Sequence, residues 1–382
     1  MDLLSFEPAT LPPGIAGWRR EVRGFLAEHA AGIPAERRAN AWGVFDAAFS
    51  RALGARGWIG LTWPTQYGGA GRSALERYVL LEELLAAGAP VGAHWIADRQ
   101  SGPALLRYGS EAQRLRYLPA IARGECFFCI GMSEPGAGSD LAAVRTRAER
   151  RGEHWVLNGQ KLWTTHAHQA HMMITLVRTG EATGGKRHEG LSQFLVDLKS
   201  PGVTVRPIVD LAGEVHFNEV FFDDVQLSPG MLLGVLGQGW SQCTSELSLE
   251  RSGPERYLSS HALFVEFLRC ADPASQAQRI EIGRLSAELW TLREMSLSVA
   301  ARLAAGQDPA LEAAIVKDLG NSFEQALPRR VQALFDDGVA LYDETPLARV
   351  LALLLQTAPS FSLRGGTREI LRGIIARGLG LR

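Results

Sequence analysis

The stretch Ser133-Glu134-Pro135-Gly136-Ala137-Gly138-Ser139-Asp140 sets hydroxyl and carboxylate groups among glycines at the end of an apolar run. Glycine lets backbone N–H groups come close to a ligand, so the segment suits the cradling of a polar group; its plainer use is a tight connection between layers. It is not a dinucleotide fingerprint: no G-x-G-x-x-G runs through it, and the strand, crossover helix and strand such a motif needs are missing around it. Cys126 and Cys129 have the spacing of a redox pair or half a metal site, but no second cysteine pair is near, which fits buried reduced thiols. His166, His168 and His171 have no carboxylate companion, and no metal is expected. Arg145, Arg147, Arg150 and Arg151 read by default as a solvated face, with contact to a ligand phosphate as the alternative. Further on, Leu249-Glu250-Arg251 is followed by Gly253-Pro254. Proline offers no N–H to the carbonyl of Glu250, so a helix there must kink or end. A helix Glu is ordinarily solvated.

The elements that must position these residues fall into three textures. Ile15, Trp18, Val22, Phe25 and Leu26 recur at helical spacing, and further helices are predicted over 75–87 and 104–122, so the first ~120 residues read as all-helical. Short strand-like runs follow at 126–132, 172–177, 191–198, 203–209 and 216–225. The run 154–163 carries Asn158-Gly159 at its centre, which predicts a two-residue hairpin. About six short strands in one sheet or barrel are expected. After Gly237-Gln238-Gly239-Trp240 the helical period returns, with apolar stripes over Ile280–Leu297 and over Ile315, Leu319, Phe323 and Leu327, implying a bundle.

A chain of 382 residues holds two or three packed units at roughly 100–200 residues each. The 40 basic and 41 acidic residues sum to −1, so no global field favours nucleic acid or an acidic membrane. Hydrophobic content of 46% with 21% charged residues is that of an ordinary globular protein. No apolar run approaches the ~18 residues needed to span a bilayer, and the N-terminus has no basic segment ahead of an apolar stretch, so no membrane association and a cytoplasmic location are expected. The basic residues are overwhelmingly Arg; the lysines are Lys161, Lys186, Lys199 and Lys317.

The Ser133–Asp140 stretch followed by Asn158-Gly159-Gln160-Lys161-Leu162-Trp163-Thr164-Thr165 resembles the middle domain of the acyl-CoA dehydrogenases. Trp58-Ile59-Gly60-Leu61 with Trp63-Pro64 and Tyr67-Gly68-Gly69, then Val220–Val225, Gly237–Trp240 and Gly365-Gly366-Thr367-Arg368-Glu369-Ile370, look like further landmarks in family order. The resemblance implies an α+β fold with an N-terminal helical domain (1–123), a small middle β domain of barrel or sheet form (124–232) and a C-terminal four-helix-bundle domain (233–382). It implies FAD as cofactor and removal of an α-proton and a β-hydride from an acyl-CoA thioester, leaving the trans-2-enoyl-CoA. Carried over, Ser133, Trp163 and Thr165 contact the isoalloxazine, with backbone around Ile130 and Met132 lining it. Ser139 sits near both flavin and thioester, Thr367 and Glu369 near the FAD phosphates and ribose, and Arg251 near substrate.

Many members place the general base directly before the closing Gly-Thr, where this chain has Gly365. Glu250-Arg251 is similar to the isovaleryl and long-chain branch, whose glutamate lies on an earlier helix, so Glu250 is the expected base, with Glu246 and Glu255 in reserve. Gly365 keeps the backbone N–H that holds the thioester oxygen. Two C-terminal segments with which family members complete a neighbour's FAD site are absent: Arg269–Pro273 does not match the first, and Gln332-Ala333-Leu334-Phe335-Asp336-Asp337-Gly338 has aspartates where the second has glycines. Paired negative charges repel a pyrophosphate. The chain is therefore similar to bacterial heteromeric members, in which a paralogous subunit supplies the missing groups in a dimer or tetramer. An electron-transfer flavoprotein is the expected acceptor; a non-catalytic structural subunit and an acyl-CoA oxidase are the alternatives.

Overall fold

The computed structural model describes residues 4–181, 186–249, 253–335 and 343–381, with the side chains of 245–249 left out. Its longer helices are α1 (Ile15–His29), α2 (Ala35–Ala39), α3 (Ala47–Ala55), α4 (Ala74–Ala86), α5 (Gly92–Ile96), α6 (Gly102–Tyr108) and α7 (Glu111–Ala122). After the sheet come α8 (Gly239–Leu249), α9 (His261–Cys270), α10 (Gln276–Ala304), α11 (Ala310–Gln332), α12 (Pro346–Thr357) and α13 (Arg368–Gly378). The strands are β1 (Phe128–Gly131), β2 (Arg147–Arg151), β3 (His154–Thr165), β4 (Met172–Arg178), β5 (Leu191–Asp197), β6 (Val203–Val209), β7 (Val215–Leu227) and β8 (Leu232–Leu233).

Two compact units form. One comprises residues 45–71 and 91–247, the other 1–44, 72–90 and 248–382. Packing thus sends α1, α2 and α4 to the C-terminal helices, while α3 and α5–α7 join the sheet. In the helical unit α4 begins with a capping box, Ser73 accepting from Glu76 N while Glu76 reaches back, and it packs on α1 and α10.

In the sheet unit the strand order is β6-β7-β3-β2-β4-β5-β8, with β1 paired parallel to β4. β4 and β5 are buried along nearly their whole length, so the polar Thr175, Ser192 and Gln193 go into the interior with their apolar neighbours. Their side chains join Trp155, Leu157, Val220, Phe222 and Val225 in one core.

Several expectations need correction. Asn158-Gly159 is not a hairpin turn: it lies inside the continuous strand β3, at a bulge against β7, and the reversal into β3 occurs at Gly152 (φ +62). Gly159 (φ +139) is required there because a Cβ would meet Thr146 Oγ1 at 2.6 Å, so the permissive residue serves a close backbone approach. Eight strands form among the described residues, more than the six expected; β2, Arg-Ala-Glu-Arg-Arg, hides behind its charges and β8 has two residues. Ile280 and Leu319, placed on buried stripes from spacing, are 47% exposed. The segment Pro346–Leu363 is long and apolar enough, by length and composition, to cross a membrane, contrary to the expectation that no such run exists. In this structure its face of Leu347, Ala348, Val350, Leu351 and Leu354 is buried, and α12 packs on α2, α9 and α11.

Candidate active site

In the sheet unit, β1 leads through half-buried Ile130 into Met132 and Ser133, and Leu162 N donates to Ser133 O (2.9 Å), drawing this segment alongside the end of β3. A second bulge between Lys161 and Thr164 throws Trp163 into the left-handed region (φ 61). For a bulky residue that conformation is strained, and here it leaves the indole 55% exposed, edge-on to Phe217 at 5.9 Å. Thr165 is half-buried, Ser139 exposed. Thr164 Oγ1 and both ring nitrogens of His166 are buried and unpartnered among the described residues. His166 is pushed down to about 3 by burial, with His216 and His168 adding to it. The His166 ring meets those of His216 (4.7 Å) and His168 (6.3 Å), while His171 is engaged elsewhere, its Nδ1 accepting from Phe127 N (3.0 Å).

What fixes the 132–146 loop is an ion pair. Lys161, fully buried, donates to Glu134 Oε1 (2.7 Å) and to Met132 O (3.1 Å). Glu134 also accepts from Arg145 N (2.6 Å) and Thr146 N (3.0 Å). Burial pushes Lys161 down to about 8 against the pull of Glu134. For Glu134 burial acts upward, but Lys161 and the N–H donors outweigh it and the carboxyl stays below its ordinary range.

In the helical unit, Gly365 (φ 63) and Gly366 (φ 101) form a left-handed turn that delivers Thr367 as the N-cap of α13, its hydroxyl facing Ile370 N at 3.5 Å. Glu369 is exposed in the first turn, its carboxyl lowered by its own backbone N–H and by Thr367. Lys317 Nζ donates to Gly366 O (2.5 Å).

The structure therefore brings Ile130, Met132, Ser133, Trp163 and Thr165 together in one unit, and Gly365, Thr367 and Glu369 in the other. Glu250 and Arg251 lie outside the described residues, as do Asp336, Asp337 and Gly338; of Glu246 only the backbone, in α8, is described. Glu255, the other reserve base, is buried in a short turn (Pro254–Arg256) beside Arg256 at 3.7 Å. Glu134, Lys161 and Lys317 were not assigned a role from the sequence. The signal in the sequence was that an Arg-dominated chain keeps four lysines; that Lys161 and Lys317 are fully buried is what the structure adds.

Profiles described as the acyl-CoA dehydrogenase N-terminal, middle and C-terminal domains match residues 16–125, 129–225 and 272–380. The chain belongs to the acyl-CoA dehydrogenase family. Acyl-CoA dehydrogenase IpdE1 of Mycobacterium tuberculosis is 41% identical over 241 residues, 61% of this chain; the match spans 62% of IpdE1's own length. Acyl-CoA dehydrogenase FadE26 of the same organism is 30% identical over 85% of this chain and 84% of its own length. Among solved structures, one described as the Tcur3481-Tcur3483 steroid ACAD superposes with a TM-score of 0.85 at 28% identity, covering 100% of this chain and 99% of that one. The ChsE4-ChsE5 complex from Mycobacterium tuberculosis gives 0.84 at 28% identity over 98% and 100%. The cofactor of acyl-CoA dehydrogenases is FAD. The sheet-unit residues fit it: an exposed indole on a strained backbone, in a segment hydrogen-bonded to that of Ser133 and followed by Thr165, offers a planar ring system a wall and hydroxyl groups.

Proposed function

We propose that this chain carries out α,β-dehydrogenation of an acyl-CoA thioester to the trans-2-enoyl-CoA. The observation that carries this reading is the exposed Trp163 indole, set by a left-handed bulge beside Ser133. FAD, when bound, supplies the acceptor for the β-hydride. Ser133, Trp163 and Thr165, with the backbone of Ile130 and Met132, hold its ring system, and Ser139 serves flavin and thioester. Thr367 donates to phosphate; ionised Glu369 accepts from ribose hydroxyls, since a carboxylate repels phosphate. Glu250 abstracts the α-proton, Arg251 contacts substrate, and the Gly365 N–H holds the thioester oxygen as negative charge builds on it. Electrons pass to an electron-transfer flavoprotein.

A paralogous chain completes the flavin site in a dimer or tetramer. Support comes from the Asp336-Asp337 pair in a segment where family members carry glycines, and from the two-chain descriptions of the neighbours above. A ring-bearing acyl chain is favoured over a short straight one, since one neighbour is described as a steroid enzyme.

Anaerobic addition of acyl-CoA thioesters to the FAD-loaded protein should bleach the flavin, and Glu250→Gln should abolish bleaching while keeping the flavin bound. Native purification yielding this chain alone with one flavin per chain would overturn the paralogous partner. Gly365, which carries no carboxylate, favours a second reading, a structural subunit with no chemistry of its own. In that case Glu250→Gln leaves the assembled complex fully active. Oxygen-dependent peroxide release would instead mark an oxidase.

A further inference from the structure

The Gly365-Gly366 turn is held by side chains, not by a ladder. Lys317, on α11, has no exposed surface, and its ammonium donates to Gly366 O at 2.5 Å. On one flank the Arg364 guanidinium lies over the rings of Trp42 (3.8 Å) and Phe361 (4.2 Å). On the other, Arg368 Nε donates to Asp318 Oδ1 (3.0 Å), fastening the start of α13. A Cβ on Gly366 would meet nothing closer than Ile370 Cγ2 at 3.7 Å, so crowding does not impose glycine there; the left-handed backbone does. Two adjacent glycines are otherwise free over much of φ/ψ space, and an N–H on such a segment has no fixed direction unless its neighbours are clamped. Burying an ammonium is costly unless it is hydrogen-bonded, and the bond to Gly366 O is one that meets this cost.

We propose that Lys317 is a positioning residue: by holding the Gly366 carbonyl it fixes the double-glycine turn so that the Gly365 N–H meets the thioester oxygen of an acyl-CoA. This rests on the acyl-CoA reading above. It adds that oxyanion stabilisation depends on a lysine that touches neither substrate nor flavin.

The test uses the FAD-loaded protein as purified, in complex with its paralogous partner, and acetoacetyl-CoA, whose enolate absorbs in the near ultraviolet and forms without any hydride transfer. The wild type should raise the enolate fraction above that in free solution. Lys317→Met should lower the bound enolate fraction at fixed pH by about tenfold or more, with the dissociation constant changed less than about threefold, because a misaimed donor is lost to the oxyanion more than to the ground state. Lys317→Arg should recover part of it. Should Lys317→Met fail to fold, Lys317→Gln, an amide too short to reach, carries the same expectation. A folded Met or Gln variant with the wild-type enolate fraction overturns the proposal. Wild-type protein that binds the probe without enolising it overturns the acyl-CoA reading itself, before any variant is compared.

Discussion

Lys161 in the sheet unit and Lys317 in the helical unit are both fully buried ammonium groups, and each donates to a backbone carbonyl beside a candidate site residue. Their settings differ. Lys161 sits on a strand already fixed by antiparallel pairing with β2 and β7, and Glu134 faces it at 2.7 Å. Lys317 holds a turn that no strand ladder supports. On β3 the lysine's removal is felt first as lost stability, because the buried Glu134 carboxylate loses its cation; at the glycine turn it takes away the hydrogen bond that holds the Gly366 carbonyl.

The largest effect that would sharpen this contrast is on Lys161. Lys161→Met should cost about 3–5 kcal/mol in urea unfolding, because Glu134 loses its cation. The double variant Lys161→Met with Glu134→Leu should recover much of that loss, and no recovery would break the ion-pair account. Acid comes next. Burial pushes His94 down to about 4, His166 to about 3 and His261 to about 4. Each has a folded pKa below its unfolded value, so the unfolded chain takes up protons first. Stability should then fall as pH drops below about 6.5, by about 1.4 kcal/mol per unit per histidine down to the folded pKa. His94 and His166 belong to the sheet unit and His261 to the helical one, so His166→Asn and His261→Asn should each flatten the urea-midpoint profile between pH 7 and 5. Trp163→Ala is smaller still in stability, within about 0.5 kcal/mol, since the ring is exposed and its backbone strained. It should weaken FAD about tenfold by fluorescence titration, the scale of one lost aromatic contact. Least of all, Arg147→Ala removes an exposed pair with Glu149 and should change the unfolding free energy by less than about 0.5 kcal/mol.

Much of this was legible in the residues. The period through Trp18, Val22, Phe25 and Leu26 marks α1 over the residues it occupies, and the ordered landmarks from Trp58 to Ile370 lead to the family that the domain profiles also match. Ser133 and Trp163, 30 positions apart, are drawn to adjoining segments as the motif order implies. What failed did so for local reasons. Asn158-Gly159 carries the composition of a turn, but composition reports which φ values are allowed and not whether the chain reverses. Ile280 and Leu319 satisfy a helical stripe, yet exposure depends on which neighbour arrives.

The sequence by itself determined the element types, the helix–sheet–helix order and the family, because periodicity, caps and motif spacing are properties of contiguous residues. Only the tertiary structure decided that α4 packs with helices two hundred residues later, that Lys161 meets Glu134 and that Lys317 meets Gly366. A lysine's letter is the same on a solvated face and in a core. Its role depends on which distant carbonyl or carboxylate lies within hydrogen-bonding reach when water is excluded, and that is set by packing between elements whose sequences carry no record of each other.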